Sequence, residues 1–160
     1  MRQKQEKTNA MRLLDRAGIG YEVQSYPHDG EAVDGIEVAR LLGQDPASVF
    51  KTLVARGAGR NYYVFDIPVA QELDLKKAAR AVGEKAVALV HVKELFPLTG
   101  YVRGGCSPVG MKKRFPTVLD ASAAQWPRIA VSGGRIGCQL LLAPDDLLRA
   151  TAGRYADLTR

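Results

Sequence analysis

The stretch Tyr101-Val-Arg-Gly-Gly-Cys-Ser-Pro-Val-Gly-Met-Lys-Lys-Arg114 constrains the fold most, because three glycines and a proline fall between Gly104 and Gly110. A segment of this kind suits neither a helix interior nor a central strand. Gly104 and Gly105 carry no Cβ, so their backbone can come close to a ligand, and successive N–H groups in such a turn can converge on one anion. Pro108 sets its own φ and biases Ser107 towards an extended conformation, which stiffens the loop. A stiff ring of N–H donors suits an oxyanion or a polarised ester carbonyl. The cations Lys112, Lys113 and Arg114 follow directly and suit phosphates. Taken alone, the cluster is also compatible with an ordinary tight turn and a solvated basic end. A second unusual stretch, Val49-Phe-Lys-Thr-Leu-Val54, favours the functional reading by placing a lysine inside an apolar run.

The remaining chain is read as a mixture of helices and hairpins. Thr8 or Asn9 is placed to cap a helix over Ala10–Ala17, stopped by Gly18. Tyr21–Tyr26 alternates like a strand, Ile36–Leu42 has helical spacing, and Asp45-Pro46 opens a turn. Val49–Arg56 and Tyr62–Ile67 read as a hairpin across Gly57–Asn61. Asp74 caps a helix ended by Gly83, Lys85–Val92 reads as a short strand, and Val92–Phe96 as a helical turn ended by Pro97. Short strands are expected at Thr117–Leu119, Ile129–Ser132 and Cys138–Ala143, then a helix over Pro144–Ala150 and an edge segment at Tyr155–Leu158. This order favours an α+β fold over a regular βαβ repeat. At 160 residues, the chain is expected to form a single domain over residues 1–160.

Composition narrows the class. The apolar runs are too short to span a bilayer, and the charged start Met1–Lys7 lacks the apolar core of a secretory signal. Two cysteines, Cys106 and Cys138, are too few for a disulfide framework, so free thiols in a reducing cytoplasm are expected. His28 and His91 have no zinc-site spacing, and no cluster calls for a metal or an organic cofactor. A net charge of +6 favours polyanionic partners by long-range attraction.

Lys51 is the first candidate for chemistry. It either lets its ammonium snorkel to water or lines a pocket. No protein nucleophile stands out: Ser107 and Ser132 have no evident triad, and Cys106 has no His or Asp neighbour. His28 and Asp29 lie together in a loop, and Lys76-Lys77 reads as a solvated face.

Four stretches carry a resemblance. Phe50-Lys-Thr-Leu53, Leu73-Asp-Leu-Lys-Lys77, Gly100–Lys113 and Val131-Ser-Gly-Gly134 stand in the order found in bacterial YbaK/EbsC-type Cys-tRNA(Pro) deacylases, which the chain resembles from about Ala10 to Leu158. That family is similar to the editing domain inserted in bacterial prolyl-tRNA synthetases. The resemblance implies a mixed, barrel-like sheet flanked by helices and an enzyme that clears mischarged Cys-tRNA(Pro) in trans, alongside prolyl-tRNA synthetase. It further implies that Lys51, Gly104 and Ser132 are catalytic. By the same resemblance, Tyr26, Thr52, Gly105, Cys106, Ser107 and Pro108 are expected to hold the aminoacyl group, and Lys112, Lys113 and Arg114 to contact the tRNA. Many relatives have an aspartate where this chain has Gln139.

A cysteine ester brings its own nucleophile. Its thiol can attack its own carbonyl while the loop N–H groups hold the oxygen and Lys51 steadies developing charge. Two other readings remain open on the residues: a deacylase for another mischarged ester such as Ala-tRNA(Pro), and a non-catalytic tRNA- or synthetase-binding module.

Overall fold

Local signals set most of the elements. Thr8 accepts the Met11 N–H and starts helix α1 (Asn9–Arg16), whose apolar side buries Ala10, Met11 and Leu14. Helix α2 spans Gly35–Leu41. Asp45 caps a short 3-10 turn at Pro46–Ser48. Asp74 accepts the N–H groups of Lys76 and Lys77 to open helix α3 (Leu75–Val82), and Gly83, at φ 73°, closes it. The computed structural model describes residues 6–160, so most of the run Met1–Lys7 lies outside the described residues.

The strands are β1 (Glu22–Ser25), β2 (Phe50–Arg56), β3 (Tyr62–Pro68), β4 (Ala88–Leu89), β5 (Thr117–Asp120), β6 (Ile129–Ser132), β7 (Cys138–Leu142) and β8 (Arg154–Ala156). They form a three-stranded sheet in the order β1-β7-β6 and a five-stranded sheet in the order β4-β2-β3-β5-β8. The expected β2–β3 hairpin forms, with Lys51 opposite Ile67 and Thr52 opposite Asp66. β3–β5 and β5–β8 are parallel, which requires crossovers. The first crossover contains α3, β4, helix α4 (Val92–Thr99) and the glycine-rich loop; the second contains β6, β7 and helix α5 (Pro144–Thr151). The architecture is α+β with mixed pairing. The two sheets meet at a bridge between Val49 and Ala130 and do not close into a barrel.

Strand alternation places one face of the five-stranded sheet, with Phe65, Ile67 and Ala55, against Ala78 and Ala79 of α3 and against Leu158. Phe50 and Leu119, from the opposite face, share a second core with α1, β6 and β7. Two local expectations change. The strand read over Lys85–Val92 is only Ala88–Leu89, because it pairs just with Ala55 and Arg56 before α4 begins. Pro97 does not end α4. The helix runs on to Thr99, where the Gly100 N–H reaches Phe96 O and the Thr99 hydroxyl reaches Leu95 O.

Candidate active site

β4 pairs with β2 at Ala55 and Arg56, the Val90 N–H reaches Val54 O, and Val49 bridges to Ala130 of β6, so among the described residues the edge over Phe50–Leu53 between them carries no ladder pairing. Residues from both faces of that edge line one cavity of about 530 Å³, with Lys51, Thr52 and Leu53 together in its wall. A volume of this order is typical of small-molecule sites. Tyr26, Gly104, Cys106, Ser132, Cys138 and Gln139 complete much of the wall. Residues from five well-separated stretches of chain thus share one hollow.

The glycine-rich loop is held from both sides. The Tyr101 hydroxyl donates to Val109 O at 2.7 Å and ties the loop's two ends together. Gly104 has φ 84°, and a Cβ there would lie 2.7 Å from that of Ala32. Only glycine suits both the backbone and the contact. The Gly105 N–H turns inward to Val102 O at 2.9 Å, so the donor ring expected over Gly104–Ser107 loses that member to the turn itself.

The predicted residues therefore divide. Lys51, Gly104, Ser132, Tyr26, Thr52 and Cys106 all line the cavity. Ser107 is fully buried, and its hydroxyl accepts the Val109 N–H, so its side chain serves the loop. Gly105 and Pro108 do not line the cavity; Pro108 lies instead in a small hollow of about 50 Å³ with Lys113 and Arg114. Arg114 also donates to Ala150 O, and Lys112 stands over the Phe96 ring. The basic run is thus not part of the cavity wall, whereas exposed Arg103 and Asp34 are. Sequence reasoning missed both: Asp34 stands in an unpatterned loop, and Arg103, although inside the glycine-rich stretch, carries no local sign that it will flank a cavity.

The chemistry of the wall is unusual for a hydrolytic site. Burial, reinforced by the charge of nearby Asp66, pushes the Cys106 thiol up to about 12. Burial also raises Cys138 and the Tyr26 phenol. Neither thiol is a ready thiolate near neutral pH. The Ser132 hydroxyl accepts the Gly134 N–H at 3.3 Å. Exposed His28 accepts the Gly30 N–H within its own loop and takes no part in the wall. Gln139 is buried and forms a reciprocal amide pair with Gln44, at 2.7 and 3.1 Å. That position is therefore neutral at every pH. The wall offers the cations Lys51 and Arg103, the hydroxyls of Thr52, Ser132 and Tyr26 and the carboxylate of Asp34. The cations and hydroxyls can stabilise negative charge on a carbonyl oxygen, and neither wall thiol is an activated nucleophile.

Comparison with known proteins shows the family. Residues 30–150 match the aminoacyl-tRNA editing domain. A protein of Enterococcus faecalis named for a proposed Cys-tRNA(Pro)/Cys-tRNA(Cys) deacylase activity, EbsC, is 44% identical over 155 residues, covering 97% of this chain and 94% of its own. A crystal structure described as a proposed trans-editing enzyme for prolyl-tRNA synthetase superposes with a TM-score of 0.84 at 29% identity, over 95% of each chain. That of a hypothetical protein superposes at 0.86 with 24% identity, over 95% of this chain and 99% of its own, and shares the fold. The chain belongs to the aminoacyl-tRNA editing domain family.

Proposed function

We propose that the chain, as one domain over residues 1–160, is a trans-acting deacylase that removes cysteine from mischarged Cys-tRNA(Pro), working in the cytoplasm beside prolyl-tRNA synthetase. The observation that carries this reading is the cavity wall, which sets Lys51 beside hydroxyls and loop backbone while both of its thiols are held protonated. Such a wall suits a substrate that supplies its own nucleophile. Size alone discriminates poorly between cysteine and its neighbours, since one methylene is worth about 1–3 kcal/mol.

In the reaction, the substrate sulfur forms a bond to its own ester carbonyl carbon. The oxyanion is held by Lys51 and by N–H groups of the loop at Gly104, with Thr52, Ser132 and Tyr26 fixing the aminoacyl group. Collapse breaks the bond to the ribose oxygen, which takes up the proton lost by the thiol. The products are free tRNA and a cysteine thiolactone that water opens to cysteine.

Single-turnover release of cysteine from Cys-tRNA(Pro) tests this. Lys51→Ala is expected to lose at least about 100-fold in rate, the scale of one lost oxyanion partner. Ser-tRNA(Pro), nearly the same shape with a poorer nucleophile, is expected to react far more slowly. Equal rates for the two esters would show that water attacks and would overturn self-attack by the thiol.

A further inference from the structure

Asp66 lies directly behind the cavity wall and has no role in the reaction above. It is fully buried on β3, opposite Thr52 of β2. Its Oδ1 is 2.5 Å from the Thr52 hydroxyl oxygen, and its Oδ2 is buried with no hydrogen-bond partner among the described residues. The groups facing it are Thr52 from β2 and the Cys106 thiol from the glycine-rich loop, while its β5 neighbour Leu119 is apolar. Among the described residues, no cation offsets the burial of this carboxyl group. Both polar neighbours line the cavity.

We propose that Asp66 is a positioning residue that sets the direction of the Thr52 hydroxyl in the cavity, so that Thr52 offers a proton to the substrate when Asp66 is protonated and only lone pairs when it is ionised. This rests on the cavity being the place where the aminoacyl ester reacts.

The argument is one of donors and acceptors. A threonine hydroxyl has one proton. An ionised Asp66 can only accept, so it takes that proton and leaves lone pairs facing the cavity. A neutral Asp66 has one proton of its own to place. On Oδ2 that proton would be a buried donor without an acceptor. On Oδ1 it meets the Thr52 oxygen, and Oδ2 becomes a carbonyl oxygen, the less costly atom to leave unpaired. Neutral Asp66 therefore donates to Thr52 and releases the threonine proton towards the ester carbonyl. Burial raises the Asp66 carboxyl to about 7, opposed by its contact with Thr52, so both states are reached near neutral pH. The donor state belongs to the acid side.

Two measurements test the proposal. The first is difference infrared spectroscopy of the wild-type protein against Asp66→Asn between pH 5 and 9. A protonated carboxyl band is expected that disappears as pH rises through about 7, and Thr52→Val is expected to shift its frequency. An Asp66 that is ionised throughout, or a band unmoved by Thr52→Val, would overturn the proposal whatever the enzyme's substrate proves to be. The second is the single-turnover pH profile on Cys-tRNA(Pro). Asp66→Val, similar in bulk and apolar, is expected to lose about tenfold or more in rate with little change in half-saturating enzyme concentration. Asp66→Asn, whose amide donates to Thr52 at every pH, is expected to restore the rate and abolish the fall above about pH 7. A wild-type profile in Asp66→Asn, or a wild-type rate in a folded Asp66→Val, would also overturn it. Should the wild type release no cysteine while the infrared result holds, the deacylase reading fails and the Asp66–Thr52 coupling stands.

Discussion

At Gly104 the backbone and a neighbour make the same demand. Its φ of 84° and the closeness of Ala32 both exclude a side chain. Gly104→Ala is expected to cost about 1–3 kcal/mol from backbone strain alone. The loop must also move away from Ala32, so thermal unfolding and deacylation should both register the change. Asp66 makes a separate prediction about stability. Its carboxyl ionises near 4 in the unfolded chain and at about 7 in the folded one. Between those values the unfolded state holds fewer protons, so this residue's contribution is greatest in acid and declines as pH rises through 7. Relative to Asp66→Val, the wild type should lose up to about 3 kcal/mol between pH 5 and pH 8. Urea midpoints of the two proteins at both pH values check the sign. Lys51 and Gly104 were legible in the sequence because each broke a local pattern, a cation in an apolar run and a glycine in a loop. Asp66 was not legible. One acidic residue among strand-forming neighbours carries no sign that it will be fully covered.

The glycine-rich loop acts as an element because Tyr101 and Val109 close it. Tyr101→Phe leaves the buried Val109 carbonyl without this donor, at a cost of about 1–3 kcal/mol. The loosened loop should lower the deacylation rate more than it lowers substrate affinity, which a titration of enzyme in single turnover separates. The elements with explicit end signals followed the sequence closely. Thr8, Asp45 and Asp74 cap what their positions promised, and the β2–β3 hairpin pairs as alternation implied. Where tertiary context decides, local signals fell short. Pro97 reads as a stop, yet α4 continues because the turn beyond it is closed by Thr99 and Gly100. The Gly105 N–H reads as a ligand donor, yet the turn it helps to form uses it.

At the scale of the molecule, a net charge of +6 is distributed so that Arg103 stands in the cavity wall while Lys113 and Arg114 border a separate hollow. Binding of tRNA should weaken steeply with salt, and Arg103→Ala should reduce the slope of log affinity against log salt by about one phosphate's worth, near 0.7. Fluorescence anisotropy at several salt concentrations reads this directly. Among the described residues, no helix is long and apolar enough to cross a membrane. The α+β order was legible along the chain, as were the stretches around Lys51, Gly104 and Ser132 that line the cavity. Arg103 was not, because which loop residues flank a cavity depends on how two sheets meet at Val49 and Ala130. The protonated thiols in the wall also bear on how such a catalyst could be disabled. Iodoacetamide and other alkylating agents, which need a thiolate, should leave it working at neutral pH, so an inhibitor would have to compete for the space itself.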